Sequence, residues 1–160
     1  DMEASNSTFL NNVTRNDGGG IKVDGVATFT DLRFENNVAR RGLGGGLWVS
    51  ATVTLDSTIL LANEATNGGA LYQEGRGASI ITHSCIVDNS DTALYNESPA
   101  LLTTNNVWWG ADNGPAGQGN GDGDSVGSNI SFDNSATAPI LECGYKSGVT
   151  LYLPIIRQAP

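Results

Sequence analysis

Four stretches of the chain share one alternation of polar and apolar positions and end on asparagine. They are Asn6-Ser-Thr-Phe-Leu-Asn-Asn12, Asp31-Leu-Arg-Phe-Glu-Asn-Asn37, Asp56-Ser-Thr-Ile-Leu-Leu-Ala-Asn63 and His83-Ser-Cys-Ile-Val-Asp-Asn89. After a polar stretch, each is followed by small residues and a second short apolar run: Gly18-Gly-Gly-Ile-Lys-Val23, Gly44-Gly-Gly-Leu-Trp-Val49, Gly68-Gly-Ala-Leu-Tyr-Gln73 and Asp91-Thr-Ala-Leu-Tyr-Asn96. The unit recurs about every 25 residues, a period that marks a solenoid whose single repeats cannot bury their own apolar faces. The apolar positions alternate with period two and nowhere keep helical spacing, so the repeat is a coil of strands.

The pattern therefore predicts an all-β chain, a parallel β-helix solenoid of about four to five rungs with a C-terminal strand extension. Glycine suits the corners because it takes positive φ without a Cβ clash. Asparagine tolerates the same backbone, and a stacked asparagine side chain can hydrogen-bond the corner of its own or the next rung. Asn12, Asn37, Asn63 and Asn89 read as such an internal ladder. Three regions follow: rungs over 1–115, a Gly/Asp-rich loop with a short strand over 116–138, and an extension over 139–160. The repeat pattern opens inside a rung, at Ala4-Ser-Asn-Ser-Thr-Phe9. Either the chain is cut from a longer β-helix or another molecule completes its open end.

The rungs, closing on Asn106-Val-Trp-Trp-Gly-Ala-Asp-Asn-Gly-Pro115, resemble the right-handed parallel β-helix repeat proteins of the pectate-lyase-like superfamily, of the secreted bacterial surface-protein type. Gly121-Asp122 through Phe132 resembles the loop and strand that follow such a motif, with Asp133-Asn-Ser-Ala136 in place of the closing Pro-Trp. Leu151-Tyr-Leu-Pro-Ile-Ile-Arg157 is similar to short C-terminal tails of some secreted bacterial proteins. The resemblance implies an extracellular or cell-surface location. It implies no single activity, because this fold carries lyases, hydrolases, adhesins and passive stalks. The calcium-binding acids and catalytic base of the lyases have no clear counterpart in this sequence.

A formal net charge of −9 and two lysines, Lys22 and Lys146, argue against nucleic acid and anionic membranes as partners. No apolar run is long enough to span a bilayer. Alternation through Ile80, Thr82, Ser84 and Ile86 puts those residues inward and Cys85 outward, within reach of the segment that carries Cys143. The pair reads first as an intrachain disulfide, with an intersubunit bridge or two free thiols as alternatives.

Stacking turns rung positions into columns about 4.8 Å apart. One column holds Lys22, Trp48, Tyr72 and Tyr95, an aromatic stripe suited to sugar rings or a partner strand, or simply a ladder that steadies the sheet. A second holds Asn6, Asp31, Asp56 and His83 beside Thr8, Arg33, Thr58 and Cys85. Two stacked carboxylates and an imidazole are a weak acid–base candidate, and Arg33 neutralising the pair is the simpler reading. Asn120, Asp122 and Asp124 alternate oxygens as calcium loops do, but Ser131 falls where such a loop needs a bidentate carboxylate. No cofactor is expected beyond that calcium alternative. Thr8, Thr28, Thr30, Thr54 and Thr58 do not read as the regular columns that an ice-binding face requires.

With one histidine and few ionisable groups, the chain reads more readily as structural than catalytic. The leading expectation is a secreted structural subunit that stacks head-to-tail on copies of itself into an extracellular filament. Its contacts would be Phe9 and a docking strand carrying Leu151, Tyr152, Leu153, Ile155 and Ile156. The alternative is a carbohydrate-binding or polysaccharide-degrading β-helix that uses the aromatic stripe and Lys22.

Overall fold

The computed structural model describes residues 1–143. Parallel strands stack into a β-solenoid of about five turns, with no helix among the described residues. Three sheets run along its length. The largest contains Met2–Leu10, Ala27–Glu35, Val53–Asp56, Ile59–Leu61, Ile80–Thr82, Cys85–Val87, Leu102–Asn105 and Ile130–Ser131. A second contains Ile21–Val23, Leu47–Val49, Leu71–Gln73, Thr92–Asn96, Gly123–Val126 and Pro115–Gly117, and the third is the narrow ribbon of Val13–Thr14, Val38–Ala39 and Glu64–Ala65.

The corners are left-handed residues, and they recur in three series. Asn6, Asp31, Ser57, His83 and Asn106 have φ of 48°, 53°, 51°, 45° and 51° and bend the large sheet at each turn. Asn11, Asn36, Ala62 and Asp88 form the second series, and Gly18, Gly44, Gly68 and Asp91 the third. Most are residue types whose short polar side chain, or lack of one, tolerates this backbone.

The first series corrects the strand reading around Ile80. A left-handed residue interrupts the pleat, so inward positions step by three across it: Ala27, Phe29, then Leu32, Phe34 are all buried. In the fourth rung Ile81 is therefore inward and fully buried, while Ile80 is 43% exposed and Thr82 points out. Past His83, Ser84 and Ile86 are inward as the alternation predicts.

Inside, equivalent side chains stack in columns. Phe9 lies on Phe34 with ring centroids 4.9 Å apart, and Leu60, Ile86 and Trp109 are buried in the same core. Each fully buried large side chain contributes about 1.5–3 kcal/mol relative to exposure. The asparagine ladder is present and runs one way. Asn12 Nδ2 donates to Asn37 Oδ1 at 2.9 Å, Asn37 Nδ2 to Asn63 Oδ1 at 2.9 Å, and Asn63 Nδ2 to Asn89 Oδ1 at 3.0 Å. Each Oδ1 also takes the backbone N–H of the preceding asparagine, at 2.9–3.1 Å. The second bond of each amide goes to the strand carbonyl one rung back: Asn37 to Phe9, Asn63 to Phe34 and Asn89 to Leu60.

The ladder ends on Asp124, whose Oδ2 accepts from Asn89 N at 3.0 Å and Asn89 Nδ2 at 2.8 Å. A terminus needs only an acceptor, and a carboxylate supplies one. Burial, opposed by the two bonds from Asn89, holds the Asp124 carboxyl above its ordinary range. A raised acid favours the folded state most below its unfolded pKa, and that contribution is lost as pH rises through the folded value. Asp124→Asn keeps the acceptor and removes the buried charge. The variant is expected to match or exceed the parent in urea midpoint at about pH 7, with the difference shrinking towards roughly pH 4.

The region read as a loop with a short strand holds that strand, Ile130–Ser131, and a further one, Gly123–Val126, and both add to the rungs. Gly123–Val126 pairs with Thr92–Asn96, and Ile130–Ser131 pairs with Leu102–Asn105. Pro115–Gly117 forms the outer edge of its sheet at this end, where a proline interferes with further strand addition.

Candidate functional site

The aromatic column is in register: Lys22 pairs with Trp48, Trp48 with Tyr72, and Tyr72 with Tyr95. Its surface differs from the expected open stripe. Trp48 and Tyr72 are 6% and 3% exposed, Tyr95 is half-buried and Lys22 is open to solvent. Lys22 Nζ sits 4.0 Å above the Trp48 ring centroid, a cation–π contact, while also reaching Asp17 at 3.5 Å. Tyr72 and Tyr95 stack with centroids 5.3 Å apart and planes 1° from parallel. Burial first, then Glu97, hold the Tyr72 phenol protonated well above its ordinary range. The column is thus largely a packed ladder, and Glu97 is a member that the alternation pattern did not single out.

The acid–histidine column is corrected by one residue. Asp31 occupies the left-handed corner, and the corner of the next rung is Ser57, because Asp56 pairs with Thr30 instead. The two carboxylates therefore do not stack as equivalents. Asp56 Oδ1 accepts from Thr82 Oγ1 at 2.6 Å and lies 3.0 Å from His83 Nδ1. The Thr82 bond first, and His83 next, hold its carboxyl below the ordinary range. His83 and Asp56 are 62% and 42% exposed at the side chain, so solvent screens the pair. Arg33 does not bridge these acids. Its Nε lies 2.5 Å from Glu35 Oε2, and its outward neighbour is Ile59 where the alignment placed Thr58.

The same shift brings threonines into line. Thr28, Thr54 and Thr103 occupy one outward column, broken by Ile80, and Thr30 and Thr82 flank Asp56 in the next. The structure forms these partial columns where the sequence showed none. Thr58 is excluded from them because its side chain is fully buried.

The residues of the calcium alternative are divided between two clefts. Asn120 lines a shallow cleft with Asp112, Asn113 and Asp133, whereas Asp122 and Asp124 line a different one beside Asp88 and Trp109. Asp122 is bound to Asn113 through both its carboxylate and its backbone N–H, each at 3.0 Å. Asp124 is committed to the asparagine ladder. Among the described residues no group of three or more His, Cys, Asp or Glu side chains is placed to hold a metal ion.

Cys85 and Cys143 form an intrachain disulfide with Cα atoms 5.7 Å apart. Cys85 faces outward from the solenoid, as expected, yet is fully buried because the chain returns over it. Of the assembly residues, Phe9 is half-buried on the first turn, against Phe34. Leu151, Tyr152, Leu153, Ile155 and Ile156 lie outside the described residues.

The end bearing Phe9 is open among the described residues. Met2–Leu10 pairs on one side with Ala27–Glu35, and no other described strand lies on its far side. Met2, Leu10, Val13 and Val26 cluster in sequence around this end and are 44%, 49%, 56% and 47% exposed. Asn12 Oδ1, at the head of the ladder, receives no donor among the described residues.

These features define a parallel β-solenoid stabilised by internal ladders and a disulfide, with the long edge strand Met2–Leu10 open among the described residues. Searches against family models, curated proteins and solved structures find no match to this chain. Among the described residues no helix is long and apolar enough to cross a membrane.

Proposed function

We propose that the chain is a structural subunit of the secreted, right-handed β-helix type, and that its first turn receives a strand from a second copy. The observation that carries this reading is the nine-residue strand Met2–Leu10, exposed along most of its length, with one edge unpaired among the described residues. Such an edge is a template for strand addition unless it is covered or charged. The incoming strand is the apolar segment 148–156 of a neighbour. At the opposite end the large sheet closes on the two-residue strand Ile130–Ser131 and the second sheet on Pro115–Gly117, both poorly suited to receive a long strand, so association is polar and heterologous, the geometry that produces open filaments. The disulfide fits an oxidising, extracellular compartment.

Electron microscopy and light scattering of the concentrated chain test this. Filaments or graded oligomers are expected. Leu10→Lys combined with Val13→Lys, and separately deletion of 148–160, should each return monomers with unchanged strand circular dichroism. A parent chain that stays monomeric at every concentration would remove the proposal. Assembly that survives the deletion but not the lysine pair would replace strand donation with direct rung stacking. Glycan binding has less support, because the two central aromatics of its column are buried.

A further inference from the structure

A second apolar surface lies on the outer wall of the large sheet, and the chain itself covers it. Ile59, Cys85 and Trp108 are in register across three successive turns, and Leu61 and Val87 are in register beside them. All five point away from the solenoid core, so without a cover they would form a continuous apolar strip on a soluble wall. The cover is the segment 136–143. Ala136 and Cys143 are buried on the strip, and Ile140 and Leu141 pack against it.

The attachment of this cover is uneven. Ala136 N–H donates to Val107 O at 2.9 Å and ties the segment to the last turn. From there to the disulfide, the only hydrogen bond to the rungs among the described residues is Arg33 Nη1 to Glu142 O, at 3.4 Å and exposed. Thr137, Ala138, Pro139 and Glu142 are exposed. The segment is thus hinged at one end, held by a few partly buried apolar contacts in the middle and locked at the other end by Cys85–Cys143. Trp108 Nε1, beneath it, is buried with no hydrogen-bond partner among the described residues, so that atom would gain a water partner on uncovering.

We propose that residues 136–143 are a redox-released strap over a latent apolar surface made by Ile59, Leu61, Val87 and Trp108. A small dithiol supplies two electrons and two protons. The Cys85–Cys143 bond breaks to two thiols while the dithiol closes to its cyclic disulfide. The strap then opens about its Ala136 hinge, and the rungs, whose ladders do not depend on the bridge, stay folded. Opening of a segment with so few buried contacts is a local event, separable from global unfolding.

Limited proteolysis in dithiothreitol, with thiol titration, binding of an apolar fluorescent dye and hydrogen exchange of the rungs, tests the strap. Reduction to two thiols is expected to speed cleavage at Leu141 and Glu142 by roughly tenfold or more and to raise dye fluorescence. Peptides covering Leu47–Val49 and Leu71–Gln73, paired between turns, should keep their exchange protection. Cys143→Ser without reductant should reproduce both changes. Three results would overturn the proposal: thiols that fail to titrate in the folded chain, a strap that stays resistant to cleavage once reduced or in Cys143→Ser, or exchange that rises through the rungs as well, which would make the bridge a staple of the whole fold.

Discussion

Asn63→Ala is expected to lower stability by about 4 kcal/mol, enough to unfold much of the population of a marginally stable domain. Asn63 is 1% exposed and sits in the middle of the ladder. Its Oδ1 accepts from Asn37 N at 3.0 Å and Asn37 Nδ2 at 2.9 Å, and its Nδ2 donates to Phe34 O and Asn89 Oδ1, both at 3.0 Å. Alanine removes all four bonds and leaves the buried Asn37 N–H without an acceptor. The cost of a stranded buried group, about 1–3 kcal/mol, exceeds the net value of an ordinary hydrogen bond.

Asn63→Asp separates the donor from the acceptor role. It keeps an oxygen facing Asn37 but turns a second oxygen towards two acceptors, Phe34 O and Asn89 Oδ1. At neutral pH it should be at least as damaging as alanine, and part of the loss should return in acid as the carboxyl gains a proton. The expected contrast is with Asp124→Asn, which is tolerated because only an acceptor is needed where the ladder ends. Urea titrations of the three variants at two pH values decide it. Equal midpoints for Asn63→Asp and Asp124→Asn at neutral pH would show that the ladder has no direction.

Gly45→Ala is the second large effect, at about 3 kcal/mol. A Cβ at Gly45 would lie 2.5 Å from Gly69 O and 2.6 Å from Glu64 O, both backbone atoms of the next turn. Gly46 is equally confined, 2.6 Å from Ala70 O. A flexible side chain could move aside, but here two turns must separate, which lengthens the bonds from Gly45 N to Gly68 O and from Gly46 N to Gly69 O. Gly25 provides the control. Nothing lies within 4 Å of a Cβ placed there, so Gly25→Ala should change the thermal midpoint little. Similar losses for the two substitutions would mean that the close approach of turns does not set the cost, since Gly→Ala by itself lowers the entropy of the unfolded chain and favours folding.

The period, the strand type and the asparagine ladder were legible in the sequence because each is a repeated local choice. A residue type that suits a corner recurs at every corner. Reading columns from the same alignment worked for Lys22, Trp48, Tyr72 and Tyr95, although their turns differ in length, because each follows its own left-handed corner, Gly18, Gly44, Gly68 or Asp91, by the same number of positions. It failed at Asp56, because that alignment was anchored on the acidic residue; counted back from the asparagine, Ser57 stands to Asn63 as Asp31 does to Asn37 and His83 to Asn89, and Ser57 is the left-handed corner. The inward face of Ile81 was missed for a related reason: a single left-handed residue changes the phase of the pleat without changing composition.

Exposure was legible least. Trp48 and Tyr72 alternate as outward residues should, and they do point out of the core, but a solenoid wall is exposed only where no other part of the molecule lies against it. Cys85 shows the same separation, outward by parity and fully buried by the return of residues 136–143. The sequence by itself determined a repeating parallel coil, its glycine and asparagine corners and the direction in which most side chains leave the backbone, since these follow from steric and hydrogen-bonding preferences within one turn. Only the tertiary structure decided which turns align residue for residue, which wall is covered and where the sheet edge stays open, because those depend on contacts between residues far apart in the chain.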